Sequence, residues 1–105
     1  MTSFSRDAYQ AVYPRAFVEQ LNELGSQQKD LVDRAAERLE RFPWMGRESA
    51  VACSALPFPL REFSIPELHQ VLFYSVEEER RLVLCWYLWD TRRNPRDMFT
   101  GFYVY

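Results

Sequence analysis

Residues 68–89, Leu68-His69-Gln70-Val71-Leu72-Phe73-Tyr74-Ser75-Val76-Glu77-Glu78-Glu79-Arg80-Arg81-Leu82-Val83-Leu84-Cys85-Trp86-Tyr87-Leu88-Trp89, decide how this chain folds. Two runs rich in β-branched, aromatic and aliphatic residues, Leu68 to Val76 and Arg81 to Trp89, flank Glu77-Glu78-Glu79-Arg80. That connector is too polar to bury and too short for anything but a hairpin, so the stretch predicts two antiparallel strands. Just upstream, Pro59 to Ile65 reads as a further strand, ended by Pro66, with Pro57 and Pro59 confining its start to an edge or an entry loop.

Before the loop Trp44 to Ala55 the periodicity changes from strand-like to helical. Leu31, Ala35, Leu39 and Phe42 recur every three or four residues, and Asp30, Asp33, Arg34, Glu37, Arg38, Glu40 and Arg41 cover the other side. Ser26 is the expected N-cap of this helix and Pro43 its end. A shorter helix is expected from Arg15, with Phe17, Leu21 and Leu24 on one face, Pro14 in its first turn and Gly25 as its stop. The pair forms an antiparallel hairpin whose shared apolar stripe needs a sheet to cover it. Ala8 to Tyr13 predicts an N-terminal strand. Beyond the strand hairpin, Asp90 to Asp97 reads as a charged turn, with Asn94-Pro95 starting a short helical turn. The aromatic end Met98 to Tyr105 suits a strand, irregular packing or a partner surface equally. The expectation is one α+β domain over residues 1–105: a small twisted antiparallel sheet with an N-terminal strand and an α-helical hairpin on one face.

Composition narrows the function classes. With 105 residues, 48% hydrophobic, 16% aromatic and only 3 glycines, the chain has the makings of one packed core. No apolar stretch approaches the roughly 20 residues of a membrane span, and residues 1–7 lack the core of a signal peptide, so a cytoplasmic protein without membrane contact is expected. Cys53 and Cys85 are too few and too far apart for a metal cluster; both read as structural reduced thiols, and no metal or cofactor is expected. A net charge of −2 disfavours binding to nucleic acid mainly by counterion release. Of the thirteen basic residues only Lys29 is a lysine, so the cationic surface is almost all guanidinium, suited to bidentate contacts.

The element order, the pattern Leu60-Arg61-Glu62-Phe63, the run Val71 to Arg81, and the exit Arg92-Arg93-Asn94-Pro95 together resemble the RelE/ParE toxin superfamily. The opening Tyr9-Gln10-Ala11-Val12-Tyr13-Pro14 before a helix looks like that superfamily's first strand. The resemblance covers nearly the whole chain and implies the toxin of a type II toxin–antitoxin system, which inhibits bacterial growth, stabilises plasmids and is neutralised by a cognate antitoxin, in some cases within a larger toxin–antitoxin oligomer. RelE-like members cut mRNA in the ribosomal A site; ParE-like members poison DNA gyrase.

Metal-free RNA cleavage needs a base, cationic phosphate donors and an acid on one face. Carried over position by position, the resemblance gives Arg61 and Arg93 as phosphate-binding candidates. His69, the only histidine, is a candidate acid or base, although a lone histidine at a strand start is more often half-exposed with a backbone partner. A third cationic position falls at Val71, or at Gln70 with a one-residue shift, and a tyrosine position falls at Phe99. Neither valine nor phenylalanine donates to a developing phosphorane charge, and one such loss typically costs about 100- to 1000-fold in rate. Arg92, Arg93 and Arg96 form a candidate target-binding patch; equally, they neutralise Asp90 and Asp97. Tyr74 and Tyr87 read as core or cross-strand aromatics, Trp86 and Trp89 as core or interface, and Trp44 as a cover over the end of the second helix. A gyrase-type binding toxin is therefore favoured slightly over a ribosome-dependent endoribonuclease, with a non-toxic binding relative as a third reading.

Overall fold

The computed structural model describes residues 8–49 and 59–93. Within them the order is β1 (Gln10–Val12), α1 (Arg15–Asn22), α2 (Ser26–Arg41), β2 (Arg47–Glu48), β3 (Arg61–Ile65), a 3₁₀ turn (Pro66–Leu68), β4 (Gln70–Glu77) and β5 (Leu82–Asp90). The five strands form one sheet in the order β1-β5-β4-β3-β2. Both helices lie on the same face, α1 across β5 and α2 reaching β1, β5 and β3. This is the expected α+β architecture, with one refinement. The β4–β5 hairpin and the β3 and β2 pairings are antiparallel, whereas β1 runs parallel to β5, with Ala11 opposite Val83. A strand that leaves through a helical hairpin and meets its neighbour only after three further strands has the long crossover that parallel pairing requires.

Boundaries differ from the sequence reading where side chains find better partners. Pro14 is the residue before α1, and Gly25 rather than Ser26 caps α2, its N–H donating to Gln28 Oε1 at 3.0 Å. The buried stripe of α2 is Val32, Ala35, Ala36 and Leu39, with Leu31 only partly covered and Phe42 62% exposed. Phe42 is the residue after the last helical turn, where the chain has left the helical path. It therefore does not extend the stripe as its spacing suggested.

One irregularity in β5 sets both faces of the sheet. Phe73 pairs with Tyr87 and Tyr74 with Cys85, so Trp86 is the extra residue of a bulge. Strict alternation from Val83 and Cys85 would carry Tyr87 toward the helices. The bulge re-phases the strand, so that Val83, Cys85 and Leu88 join Phe17, Leu21, Val32, Leu39, Leu72 and Tyr74 in the core beneath the helices. Tyr87 and Trp89 fall on the other face, their rings stacked 6.3 Å apart, and Trp86 donates to Ser75 Oγ at 2.8 Å.

Past Leu84, no strand among the described residues pairs with β5 on its β1 side. There the Gln20 side chain of α1 stands in for one: its Oε1 accepts from the Leu88 N–H at 2.9 Å and its Nε2 donates to the Leu88 carbonyl at 3.0 Å. Gln20→Ala leaves both backbone groups without a partner, and the expected loss is about 1 to 3 kcal/mol in urea unfolding at an unchanged m-value.

Cys85 has no exposed surface and no disulfide partner, as expected for a structural thiol. Burial, with the charge of Glu40 adding to it, pushes the thiol up to about 12. In a Cys53→Ser variant the folded protein should therefore leave Cys85 unmodified by a thiol reagent at mildly alkaline pH, and the labelling rate should follow the opening equilibrium as urea is added. Fast labelling without denaturant would contradict this packing. Cys53 itself lies outside the described residues.

Candidate functional site

Arg61 and Tyr74 face each other across β3 and β4, on the helix side of the sheet. Together they hold the turn Phe42–Gly46 that follows α2. The Tyr74 hydroxyl is fully buried, donates to the Pro43 carbonyl at 2.8 Å and accepts from the Gly46 N–H at 3.1 Å. The Arg61 guanidinium donates from Nη2 to the Trp44 carbonyl at 3.1 Å and, at short range, to the Gly46 carbonyl. It also lies 5.2 Å over the Trp44 ring. Its Nε is buried without a hydrogen-bond partner among the described residues. The Met45 N–H adds a turn bond to the Phe42 carbonyl at 3.0 Å. A β-carbon on Gly46 would lie 2.5 Å from the Glu62 carbonyl oxygen and would collide with the Tyr74 hydroxyl, so only glycine fits. The result is a rigid turn that displays Phe42, Trp44 (50% exposed) and Met45 (47% exposed).

The other sequence candidates gather at the opposite end of the sheet. His69 ends the 3₁₀ turn in the left-handed region, φ 53°, and is exposed. Its carbonyl accepts from the Thr91 N–H at 2.8 Å and from Thr91 Oγ1 at 3.1 Å, which ties the two turns together. Asp90 closes β5 and receives three hydrogen bonds from Arg92, from its backbone N–H, Nε and Nη2, at 2.9 to 3.0 Å. Those hydrogen bonds hold its carboxyl at about 2, below the usual carboxylate range. Arg93 lies 4.8 Å over the Trp89 ring. Arg96 and Phe99 lie outside the described residues.

The structure thus brings His69, Arg92 and Arg93 to one end and leaves Arg61 away from them. Arg61 is level with Cys85 across the sheet, and Asp90 is five residues further along β5, about 16 Å at the usual strand rise, with Arg93 beyond it. Arg61 also points to the helix side, whereas Arg93 covers an aromatic ring of the other face. Among the described residues no group of histidine, cysteine, aspartate and glutamate is arranged to hold a metal ion. No helix among them is long and apolar enough to cross a membrane.

Sequence reasoning missed the Phe42–Gly46 turn as a site. The signal was present in Arg41-Phe42-Pro43-Trp44-Met45-Gly46-Arg47, where a Pro/Gly turn, ordinarily polar, carries three large apolar side chains. Nothing in the sequence pointed to the hydroxyl of Tyr74 or to Arg61 as its anchors.

No sequence profile of a known family matches the chain, and no curated protein matches it in sequence. Solved structures do match its shape. The isolated Escherichia coli toxin RelE superposes with a TM-score of 0.62 at 16% identity, over 85% of this chain and 90% of that one. A variant of the same toxin with two arginine-to-alanine substitutions, in the free state, gives 0.58 at 17% identity, over 77% and 81%. The toxin–antitoxin complex RelBE2 from Mycobacterium tuberculosis gives 0.59 at 15% identity, over 77% of this chain and 95% of the matched chain. The strand order, the single helical face and these three likenesses agree: this chain has the fold of the RelE toxins.

Proposed function

We propose that the chain, acting over residues 1–105 as one domain, is the toxin of a toxin–antitoxin pair, that it arrests growth by binding a protein target of the DNA gyrase kind, and that a cognate antitoxin neutralises it. The observation that carries this reading is the shared fold, which spans most of both chains in each comparison and includes a toxin solved with its antitoxin. Binding is favoured over RNA cleavage because the polar residues that cleavage needs do not converge. Arg61 is committed to the Trp44 and Gly46 carbonyls, and Arg92 to Asp90. Val71 stands where the resemblance calls for a cation, and the net charge of −2 gives little attraction to RNA. Arg93, exposed over Trp89, is the described residue of the basic patch best placed to meet a target.

The test is induction in bacteria with and without the protein encoded beside it. Growth arrest relieved by the partner, inhibited DNA supercoiling by purified gyrase, and uncut mRNA in primer extension are the expected results. Discrete A-site cuts at toxic doses would transfer the chain to the ribosome-dependent nucleases, and unchanged growth would make it a non-toxic relative.

A further inference from the structure

We propose that the Phe42–Met45 turn and the arginine stripe of α2 form the docking surface for an acidic amphipathic segment of a partner protein, the antitoxin in the reading above, on which only the partner's identity rests. Phe42, Trp44 and Met45 are three of the four large hydrophobics exposed among the described residues, and they fall within four positions of one turn. Their clustering is fixed from below by a buried tyrosine hydroxyl and a guanidinium, so the surface exists before any partner arrives and little ordering entropy is lost when one binds. Exposed apolar clusters held in one conformation mark binding sites more often than chance.

Charge selects the occupant. Arg34, Arg38 and Arg41 follow one another at spacings of four and three, which lines them along one side of α2 leading to Phe42. Arg34 has only a long, exposed pair with Asp30, at 3.6 Å, and Arg38 and Arg41 have no ion pair among the described residues. Between α2 and β3 lies a hollow of about 210 Å³ lined by the apolar Leu31, Phe63 and Ile65, with Arg34 and Arg38 outnumbering its one acid, Glu67. Cations along an apolar trough suit a segment with carboxylates on one side and aliphatic residues on the other. The helix dipole accounts for Arg38 and Arg41 in the last turn of α2, but not for the apolar turn that continues them. A single-stranded RNA would need open aromatic faces for stacking, and Arg61 already occupies one face of Trp44.

The experiment uses the full chain purified with the protein encoded beside it. Phe42→Ser with Met45→Ser changes two side chains that are 62% and 47% exposed and make none of the turn's anchoring side-chain hydrogen bonds, and should lower thermal stability only slightly. It should weaken the complex at least tenfold in a calorimetric titration, as the loss of apolar anchors does. Arg38→Glu with Arg41→Glu should slow association and flatten its salt dependence, while Arg15→Glu on α1 should do neither. A tight complex indifferent to the Phe42 and Met45 substitutions would overturn the docking surface and leave the toxin reading standing. Failure of any partner to copurify would remove both. Retention of a poly(U) oligonucleotide that is lost in the Arg38/Arg41 variant, or a dimer that the Phe42/Met45 variant dissolves, would give the surface to another occupant.

Discussion

Replacing the buried Gly46 by alanine should cost the folded protein about 3 kcal/mol. The new β-carbon would meet the Glu62 carbonyl oxygen at 2.5 Å and the Tyr74 Cε1 at 2.8 Å, and neither neighbour has room to retreat. The carbonyl belongs to β3, which is paired on both sides, and the tyrosine is packed without exposed surface in the core. Relief must come from the turn itself. If it lifts away, the Gly46 N–H and the Pro43 carbonyl lose the Tyr74 hydroxyl, and Arg61 loses its two carbonyl acceptors. Unfolding in urea should show a lower midpoint with the slope unchanged, and the melting temperature should fall by more than about 10 °C, given roughly 4 to 8 °C per kcal/mol for a domain of this size. Tyr74→Phe, which removes one hydroxyl and keeps the ring, sets the scale: about 1 to 3 kcal/mol, from the two backbone groups it leaves unpaired. A Gly46→Ala protein as stable as the wild type would mean that the turn is not anchored as described. The docking surface built on it would then lose its rigidity.

Much of this architecture could be read from the chain because each local signal agreed with the next. The apolar runs on either side of Glu77 to Arg80, the four- and three-residue spacing of Phe17, Leu21 and Leu24, and the breaks at Pro43 and Pro66 all point to one layered solution. What could not be read depends on tertiary partners. The bulge at Trp86 is invisible in Leu82 to Trp89, since every residue there is apolar and any phase of alternation looks equally good; only the need to bury Leu88 beside Leu72 selects one. The spacing of Phe42 places it on the apolar stripe of α2, yet spacing carries no information once the helix has ended one residue earlier. The parallel direction of β1 follows from where α2 returns the chain, not from three residues of strand. Candidate site residues were harder still. The family resemblance makes Arg61 a charge for phosphate, but a guanidinium is also the best side chain for gathering several carbonyls at once, and nothing local separates the two uses.

Arg61→Met separates them. Methionine keeps an unbranched apolar stem at a position half-buried beneath Trp44, while removing the donors to the Trp44 and Gly46 carbonyls and the cation over the indole ring. Hydrogen bonds from a charged group contribute about 1.5 to 3 kcal/mol. The ring contact adds roughly 0.5 to 1 kcal/mol at an exposed site. Against this, the variant no longer buries an unpartnered Nε. The expected net loss is about 2 kcal/mol, visible as a lower urea midpoint. Arg61→Lys should recover only part of it, because a compact ammonium reaches one carbonyl less well than a planar fork reaches two. If Arg61 serves the turn, growth arrest per folded molecule should be unchanged in Arg61→Met once expression is matched at a temperature where the variant is folded. A phosphate-binding role predicts the reverse pattern: a fully folded, stable variant with activity down by about 100-fold or more. The two outcomes differ in both stability and activity. Urea unfolding of the purified variant and its growth assay therefore decide together whether this arginine belongs to the chemistry of a nuclease or to the scaffold of a binding surface.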